Sequence, residues 1–166
     1  TKKVLSVSVM EQFFSKLAGK NFFLNLLVLG RPWNGFVIGV ISILGFFLVG
    51  GRDIYSMLTL FVVFFFQYFG GTIVNDIYDY KADKINMPYR PIELSIISLN
   101  QSRLIAVFSY LFSFAISLYT SIYIFIGALC FFIVTILYSV EPVRLVGKGF
   151  WGNLSLGVVS VFIPSV

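Results

Sequence analysis

The stretch IYSMLTLFVVFFFQYFGGTIVNDIYDYKAD, residues 54–83, decides the fold of this chain. Its first part, residues 54–75, is almost wholly apolar and long enough to cross a bilayer as a helix, which takes about 20 residues. Its last part carries three aspartates. Because the helical pattern continues through them, we predict one helix that spans the membrane and ends in an acidic segment near Asp83.

The rest of the chain has the same character. Hydrophobic residues make up 58% of the chain and charged residues 11%, against a charged share of about 25% in soluble domains. So much apolar surface must face lipid or other membrane helices. We predict an all-α, multi-pass transmembrane helical bundle with five spans, near residues 33–50, 54–75, 103–119, 122–139 and 150–166.

Residues 8–30, ahead of the first span, are expected to form an interfacial helix. Four apolar residues recur there at helical spacing while the charged residues fall elsewhere on the wheel, the pattern of a helix lying along a membrane surface. They are Met10, Phe13, Phe14 and Leu17. This interrupted pattern, without an apolar h-region and cleavage site, does not match a cleaved signal peptide.

The positions of the basic residues predict how the chain is oriented in the membrane. Lysines and arginines lie before the first predicted span, between the second and third, and between the fourth and fifth, whereas only Arg52 lies on the opposite side. The positive-inside rule therefore places the N-terminus, the acidic segment and residues 140–149 in the cytoplasm. Because the net charge of +5 is spread over these short segments, we exclude nucleic acid as a partner.

The chain has no histidine, and Cys130 is its sole cysteine. Imidazole and cysteine clusters are therefore excluded as metal sites. Carboxylates remain, and such hard oxygen ligands favour Mg²⁺.

The acidic segment is the strongest chemical signal. Its aspartates follow Asn75 at positions i, i+3 and i+7, within about 60° of one another on a helix. They are Asp76, Asp79 and Asp83. Such a stripe of like charge is costly unless a cation neutralises it, and the spacing suits Mg²⁺ also held by substrate phosphates. The alternative is a solvated helix end whose acids pair with nearby lysines and arginines.

The segment resembles the first aspartate-rich motif of the UbiA superfamily of intramembrane prenyltransferases, N-D-x-x-D-x-x-x-D. Residues 83–92, DKINMPYRPI, are similar to the family run D-x-x-N-x-x-x-R-P-I, and residues 31–34, RPWN, to its R-P opening of the first span. A looser similarity covers the loop that follows Tyr138. The resemblance implies a fold of about nine spans, of which about five are present here.

The resemblance also implies the chemistry. Mg²⁺ would bridge the catalytic aspartates Asp76, Asp79 and Asp83 to an isoprenyl diphosphate, and an aromatic or glycerol-phosphate lipid acceptor would take the isoprenyl group within the membrane. The diphosphate-binding candidates are Asn75, Arg90, Lys84, Asn34, Tyr138, Arg144 and Lys148. For Arg90, a cytoplasmic anchor is the alternative to phosphate contact.

Two departures from the family pattern bear on activity. Many relatives read R-P-I-P-S-G where residues 90–95 read RPIELS, so a tight turn gives way to residues that favour a continued helix. The second family motif, D-x-x-x-D, is absent, because every acid lies at or before Glu141. We therefore expect the chain alone to be incomplete or inactive, with another chain or segment supplying that motif.

Other classes remain as alternatives. A non-catalytic membrane fragment or helix-packing partner would keep the motif without using its aspartates for binding. The CDP-alcohol phosphotransferases are also helical and metal-dependent, but their D-G-x-x-A-R element does not occur here.

Overall fold

The computed structural model describes residues 16–17 and 19–158, without the side chain of Leu156. Their helices are α1 (Phe22–Gly30), α2 (Pro32–Leu48), α3 (Ile54–Asn86), α4 (Leu99–Thr120), α5 (Ile122–Ser139) and α6 (Phe150–Gly157), with a 3₁₀ turn at Leu145–Gly147. The described ranges contain no strand, as the all-α prediction requires. The start of the predicted interfacial helix and residues 159–166 of the predicted last span lie outside the described residues.

Three helices are each long and apolar enough to cross a membrane, namely α3, α4 and α5. The pair α1 and α2 also passes that test when taken together as one span bent by 48°. The described part of the chain therefore holds three or four candidate spans. Helix α3 runs without interruption through the acidic segment, as predicted from its periodicity, and ends three residues beyond Asp83.

The bend between α1 and α2 is centred on Arg31, whose φ of 46° and ψ of 56° lie in the left-handed region. Its backbone N–H still donates to the carbonyl of Leu27 at 3.1 Å, closing α1. Pro32 then begins α2, a position where its missing N–H costs nothing. A non-glycine residue in this conformation costs about 1–3 kcal/mol, which the surrounding contacts must offset.

Helix α3 lies at the centre and packs against α1, α2, α4 and α5. One buried cluster joins α2, α3 and α5 through Ile38, Phe64 and Phe131. Another joins α1, α3 and α4 through Leu29, Ile73 and Ala106. Gly39 lets α2 approach α3 closely, since a Cβ there would lie 2.6 Å from the Phe61 ring.

Helices α4 and α5 are joined by Ser121 alone, which accepts a hydrogen bond from the backbone of Tyr123 and caps α5. So short a connection makes the two helices antiparallel neighbours. It also returns the chain to the membrane face where α3 ends. The loop after α5 is thereby brought beside the acidic segment.

Residues 87–98, which connect α3 to α4, form consecutive turns. The expectation that residues 93–95 continue a helix is wrong. The backbone N–H groups of Ile96 and Ile97 both donate to the carbonyl of Pro91, and Ser95 has a φ of 57°. Burial of Ile92 and Ile97 drives this compact loop, since their side chains reach the core beside α3. The loop holds Arg90 against the aspartates.

Candidate active site

The acidic end of α3 is largely buried. Asp76 is 1% exposed and Asp83 is 7% exposed, while Asp79 is partly accessible. Buried carboxylates are stable only with cationic or hydrogen-bonding partners. The structure supplies those partners from segments far away in the sequence.

Three arginines converge on the three aspartates. Oδ1 of Asp76 accepts from Nη2 of Arg31 at 2.8 Å and from Nη1 of Arg90 at 2.9 Å. The same nitrogen of Arg90 also contacts Oδ2 of Asp83. Arg90 therefore bridges two carboxylates that lie two helical turns apart.

Asp79 is held separately. Its Oδ1 accepts from Nη2 of Arg144 at 2.6 Å, and its Oδ2 accepts from the side-chain amide of Asn75 at 2.7 Å. Arg144 comes from the loop after α5, with a φ of 38°. The motif asparagine thus orients a motif aspartate, and the cluster carries three formal negative and three formal positive charges.

A cavity of about 180 Å³ lies beside this cluster, between α2, α3, α5 and α6. Its polar lining includes Arg31, Asn75 and Ser139, and its aromatic lining includes Tyr68 and Tyr138. The side-chain amide of Asn34 donates to the hydroxyl of Tyr68 at 3.2 Å, from just outside the cavity. The cavity therefore has a charged end at Arg31, which pairs with Asp76, and an apolar end near Phe131.

Glu93 lies in the 87–98 loop close to the cluster. Both carboxylate oxygens are buried, and neither has a hydrogen-bond partner among the described residues. Burial raises the pKa of Glu93 to about 7, with smaller upward contributions from the negative charges of Asp76 and Asp83. A carboxyl in this position is therefore about half protonated at neutral pH.

Comparison with known proteins places this geometry in a family. The model of the "UbiA prenyltransferase family" matches residues 38–166, which include α3, its aspartates and the Arg90 and Arg144 loops. The chain belongs to the UbiA prenyltransferase family. Together with the three or four apolar spans, this identifies an integral membrane protein, and the predicted family is confirmed.

Curated UbiA relatives include digeranylgeranylglyceryl phosphate synthases of archaea. The protein from Pyrococcus furiosus is 32% identical over 138 residues, covering 81% of this chain and 48% of the relative. The protein from Saccharolobus solfataricus is 39% identical over 85 residues, covering 51% of this chain and 29% of the relative. The chain spans about half the length of the Pyrococcus relative.

A solved structure, from work on digeranylgeranylglyceryl phosphate synthase in membranes, shares the fold. The TM-score is 0.77 at 26% identity, covering 86% of this chain and 51% of that chain. The described helices are therefore arranged as in a UbiA-type membrane protein.

The structure brings together most of the residues predicted for the site. Asn75, Asp76, Asp79, Asp83, Arg90 and Arg144 form the ion-pair cluster, while Tyr138 lines the neighbouring cavity. Asn34 does not line the cavity but donates a hydrogen bond to Tyr68, which does. Lys84 and Lys148 are exposed, and neither makes an ion pair within the described residues. The assignment of these two lysines to a diphosphate remains a prediction.

Arg31, Tyr68 and Glu93 belong to this region but were not among the predicted site residues. The sequence did mark Arg31, because it is the arginine of the R-P pair at the start of α2. Its place in the site is shown only by its contact with Asp76. Tyr68 lies just under one helical turn before Gly71 in an apolar stretch, where nothing in the sequence distinguishes it from lipid-facing aromatic residues. Glu93 was noted as a departure from the family run, but its burial depends on the fold of the loop.

The aspartates also bear on the predicted metal. Within the described residues, no group of three or more carboxylate, cysteine or histidine side chains lies close enough together to hold a metal ion. Each aspartate instead faces an arginine. The donor set still fits Mg²⁺, which prefers carboxylate oxygens and substrate phosphates, provided that the arginines turn to a bound anion. Binding of Mg²⁺ by Asp76, Asp79 and Asp83 remains a prediction.

Proposed function

We propose that this chain provides the isoprenyl-diphosphate half of an intramembrane prenyltransferase site, which transfers an isoprenyl group to a glycerol-phosphate lipid. The observation that carries the proposal is the convergence of Arg31, Arg90 and Arg144 on the motif aspartates. Guanidinium groups bind phosphate oxygens as readily as carboxylates, in the same forked geometry.

Charge balance explains how such a cluster would accept substrate. Without ligand, three arginines neutralise three aspartates. A diphosphate accompanied by Mg²⁺ would bring both signs of charge, so the arginines would bind phosphate oxygens and the aspartates would hold the cation. Neither the arginines nor the aspartates would then be left without a partner. Leaving one partner of a buried ion pair uncompensated costs about 3–5 kcal/mol.

The arginines would act at the leaving group. Cleavage of the bond between the allylic carbon and the diphosphate oxygen leaves both bonding electrons on the diphosphate, and Arg90 and Arg31 stabilise that growing negative charge. Mg²⁺, when bound, supplies Lewis-acid stabilisation of the same oxygens. An oxygen of the acceptor then bonds to the allylic carbon and its proton is released, so the products are an ether lipid, diphosphate and a proton.

The small volume of the cavity supports a substrate site that this chain shares with another segment or chain. Its volume of about 180 Å³ is below the roughly 300–1,000 Å³ of ordinary ligand sites. It accommodates the head of an isoprenyl diphosphate better than the whole molecule with its tail. We therefore propose that another segment or chain completes the cavity and supplies the second aspartate-rich motif. The tail would lie along the membrane-facing side, with the acidic end of α3 at the cytoplasmic face.

The archaeal relatives favour the acceptor class. The sequence allowed an aromatic or a glycerol-phosphate lipid acceptor, and the named relatives are digeranylgeranylglyceryl phosphate synthases. We propose the glycerol-phosphate lipid on this basis.

Binding of an unreactive substrate mimic tests the proposal. The chain in nanodiscs is titrated with geranylgeranyl thiolodiphosphate, with and without Mg²⁺, beside an Asp76→Asn/Asp79→Asn variant. We expect Mg²⁺-dependent binding that the double variant loses. Asp53→Asn is the matched control, because Asp53 caps α3 at its other end and lies far from the cluster. Binding unaffected by the double variant, or absent from a folded chain, would favour a non-catalytic membrane fragment.

A further inference from the structure

A second and larger cavity lies on the face of α3 that points away from the aspartates. It measures about 730 Å³ and opens between α3, α4 and α5 at the end where α3 carries its acidic segment. Lys81, which lines it, is about 140° around the helix from Asp76. We call this space the outer groove. Of its lining residues, the proposed transfer reaction uses only Arg144.

The outer groove is cationic at its mouth. Lys81 from α3, Arg103 from the first turns of α4 and Arg144 from the loop after α5 line it, together with the single carboxylate of Glu141. Within the described residues Lys81 makes no ion pair. Arg103 donates to the neutral amide oxygen of Asn100 at 3.2 Å. Two cations in the groove are therefore without a neutralising carboxylate in this part of the chain.

The inner wall of the same groove is apolar. Val74, Ile77, Phe132 and Ile136 line it. Tyr110 also lines it, is 6% exposed, and has a hydroxyl without a hydrogen-bond partner among the described residues. A space with cations at the mouth and hydrocarbon along the wall matches a molecule with an anionic head and an apolar tail.

We propose that the outer groove binds one anionic membrane phospholipid, with its phosphate between Lys81 and Arg103 and an acyl chain along the wall formed by α3, α4 and α5. The depth of these cations in the membrane agrees with this proposal, because they lie at the end of the spans, where lipid phosphates reside. An apolar helix of another protein fits less well. Covering Lys81 and Arg103 with hydrocarbon would bury two unpaired charges, which is costly.

Lipid retention measured by native mass spectrometry tests this site. The chain is purified in a neutral detergent and titrated with dioleoylphosphatidylglycerol, with dioleoylphosphatidylcholine as the zwitterionic comparison. We expect one phosphatidylglycerol bound per chain and markedly weaker retention of phosphatidylcholine. Lys81→Gln/Arg103→Gln should weaken the phosphatidylglycerol affinity roughly 30-fold, because each cation near the lipid phosphate contributes about a factor of five.

The matched control is Lys16→Gln/Lys20→Gln, which removes two exposed cations outside the groove. An equal loss in this control would overturn the proposal in favour of general surface attraction. Inorganic phosphate that displaces the lipid at equal concentration would also overturn it, since a free anion would then suffice. If the double groove variant unfolds, each single variant is measured instead, with a loss of about fivefold expected.

The outer groove shares Arg144 with the diphosphate site, whereas Lys81 and Arg103 make no ion pair with the motif aspartates within the described residues. Lys81→Gln/Arg103→Gln should therefore leave Mg²⁺-dependent binding of the thiolodiphosphate unchanged, so failure of either proposal is recognisable without the other.

Discussion

Arg90 uses a single nitrogen to contact Asp76 and Asp83, and this geometry makes its chemistry specific. A lysine ammonium keeps the charge but lacks the planar fork that holds two acceptors in fixed directions. We expect Arg90→Lys to weaken Mg²⁺-dependent thiolodiphosphate binding by about tenfold or more, since charge-assisted hydrogen bonds contribute about 1.5–3 kcal/mol. Calorimetric titration measures the change. Arg103→Lys, the same exchange outside the cluster, should bind like the parent; equal weakening in both would contradict the assigned role.

Glu93 gives the chain a pH-dependent stability. Its pKa is about 7 in the folded chain and about 4.5 when exposed. The unfolded state therefore ionises first as the pH rises, and folded-state stability falls between pH 4.5 and 7. Glu93→Gln removes this loss. We expect the variant to match the parent below pH 4.5 and to exceed it above pH 7, by roughly 1 kcal/mol because solvent screens this half-buried carboxylate.

Thermal unfolding in detergent at constant ionic strength measures this difference. Glu141→Gln is the control, because the Glu141 side chain is 76% exposed. The control should show no comparable gain at high pH. If the stability difference between Glu93→Gln and the parent did not change with pH, the pKa of Glu93 would not be raised in the folded chain.

Helix α3 packs tightly against α5 at Gly71. A Cβ there would lie 2.7 Å from Cγ2 of Thr135, whereas a Cβ on Gly127 would lie 3.5 Å from the Phe64 ring, an ordinary contact. We expect Gly71→Ala to lower stability by about 1–3 kcal/mol through overpacking. Gly127→Ala should be neutral or slightly stabilising, since alanine favours a helix. Equal melting temperatures for the two variants would contradict this packing.

At the level of helices, much of the fold could be predicted from sequence. Apolar length and periodicity identify α3, α4 and α5, because a membrane helix satisfies its own backbone and needs little from its neighbours. The bend at Arg31 could not be predicted in this way, since an arginine with positive φ depends on the contacts around it. The turns of the 87–98 loop were also missed, because burial of Ile92 and Ile97 outweighs the helix preference of residues 93–95.

The carboxylates of the site could be predicted from the sequence, as could the membership of Arg90 and Arg144, whereas the ion pairs made by Arg31 and Arg144 could not. One short segment encodes Asn75 and the aspartates, so their common face follows from helix geometry. The ion pairs of Arg31 with Asp76 and of Arg144 with Asp79 join residues 45 and 65 positions apart. Such pairs depend on how α1, α3 and the loop after α5 pack together, which no local pattern reports.

The orientation of the whole molecule remains a prediction and can be measured. Because Cys130 is the sole cysteine, a Cys130→Ala background allows single reporter cysteines. We expect Lys20→Cys to react with an impermeant maleimide from the cytoplasmic side and Arg52→Cys from the opposite side. Inside-out and right-side-out vesicles distinguish the two. Labelling of both positions from one side would contradict the predicted topology.

Position 31 must meet two demands that no other amino acid satisfies together. Its backbone adopts the left-handed conformation that joins α1 to α2, for which glycine is best suited. Its guanidinium holds Asp76, for which a long cation is required. Glycine would relieve the backbone strain but would remove the ion pair with Asp76. Lysine would keep the positive charge but would also keep the strained backbone. Backbone strain and the ion pair thus favour different replacements, so selection for a less strained backbone at this position would sacrifice the contact with Asp76.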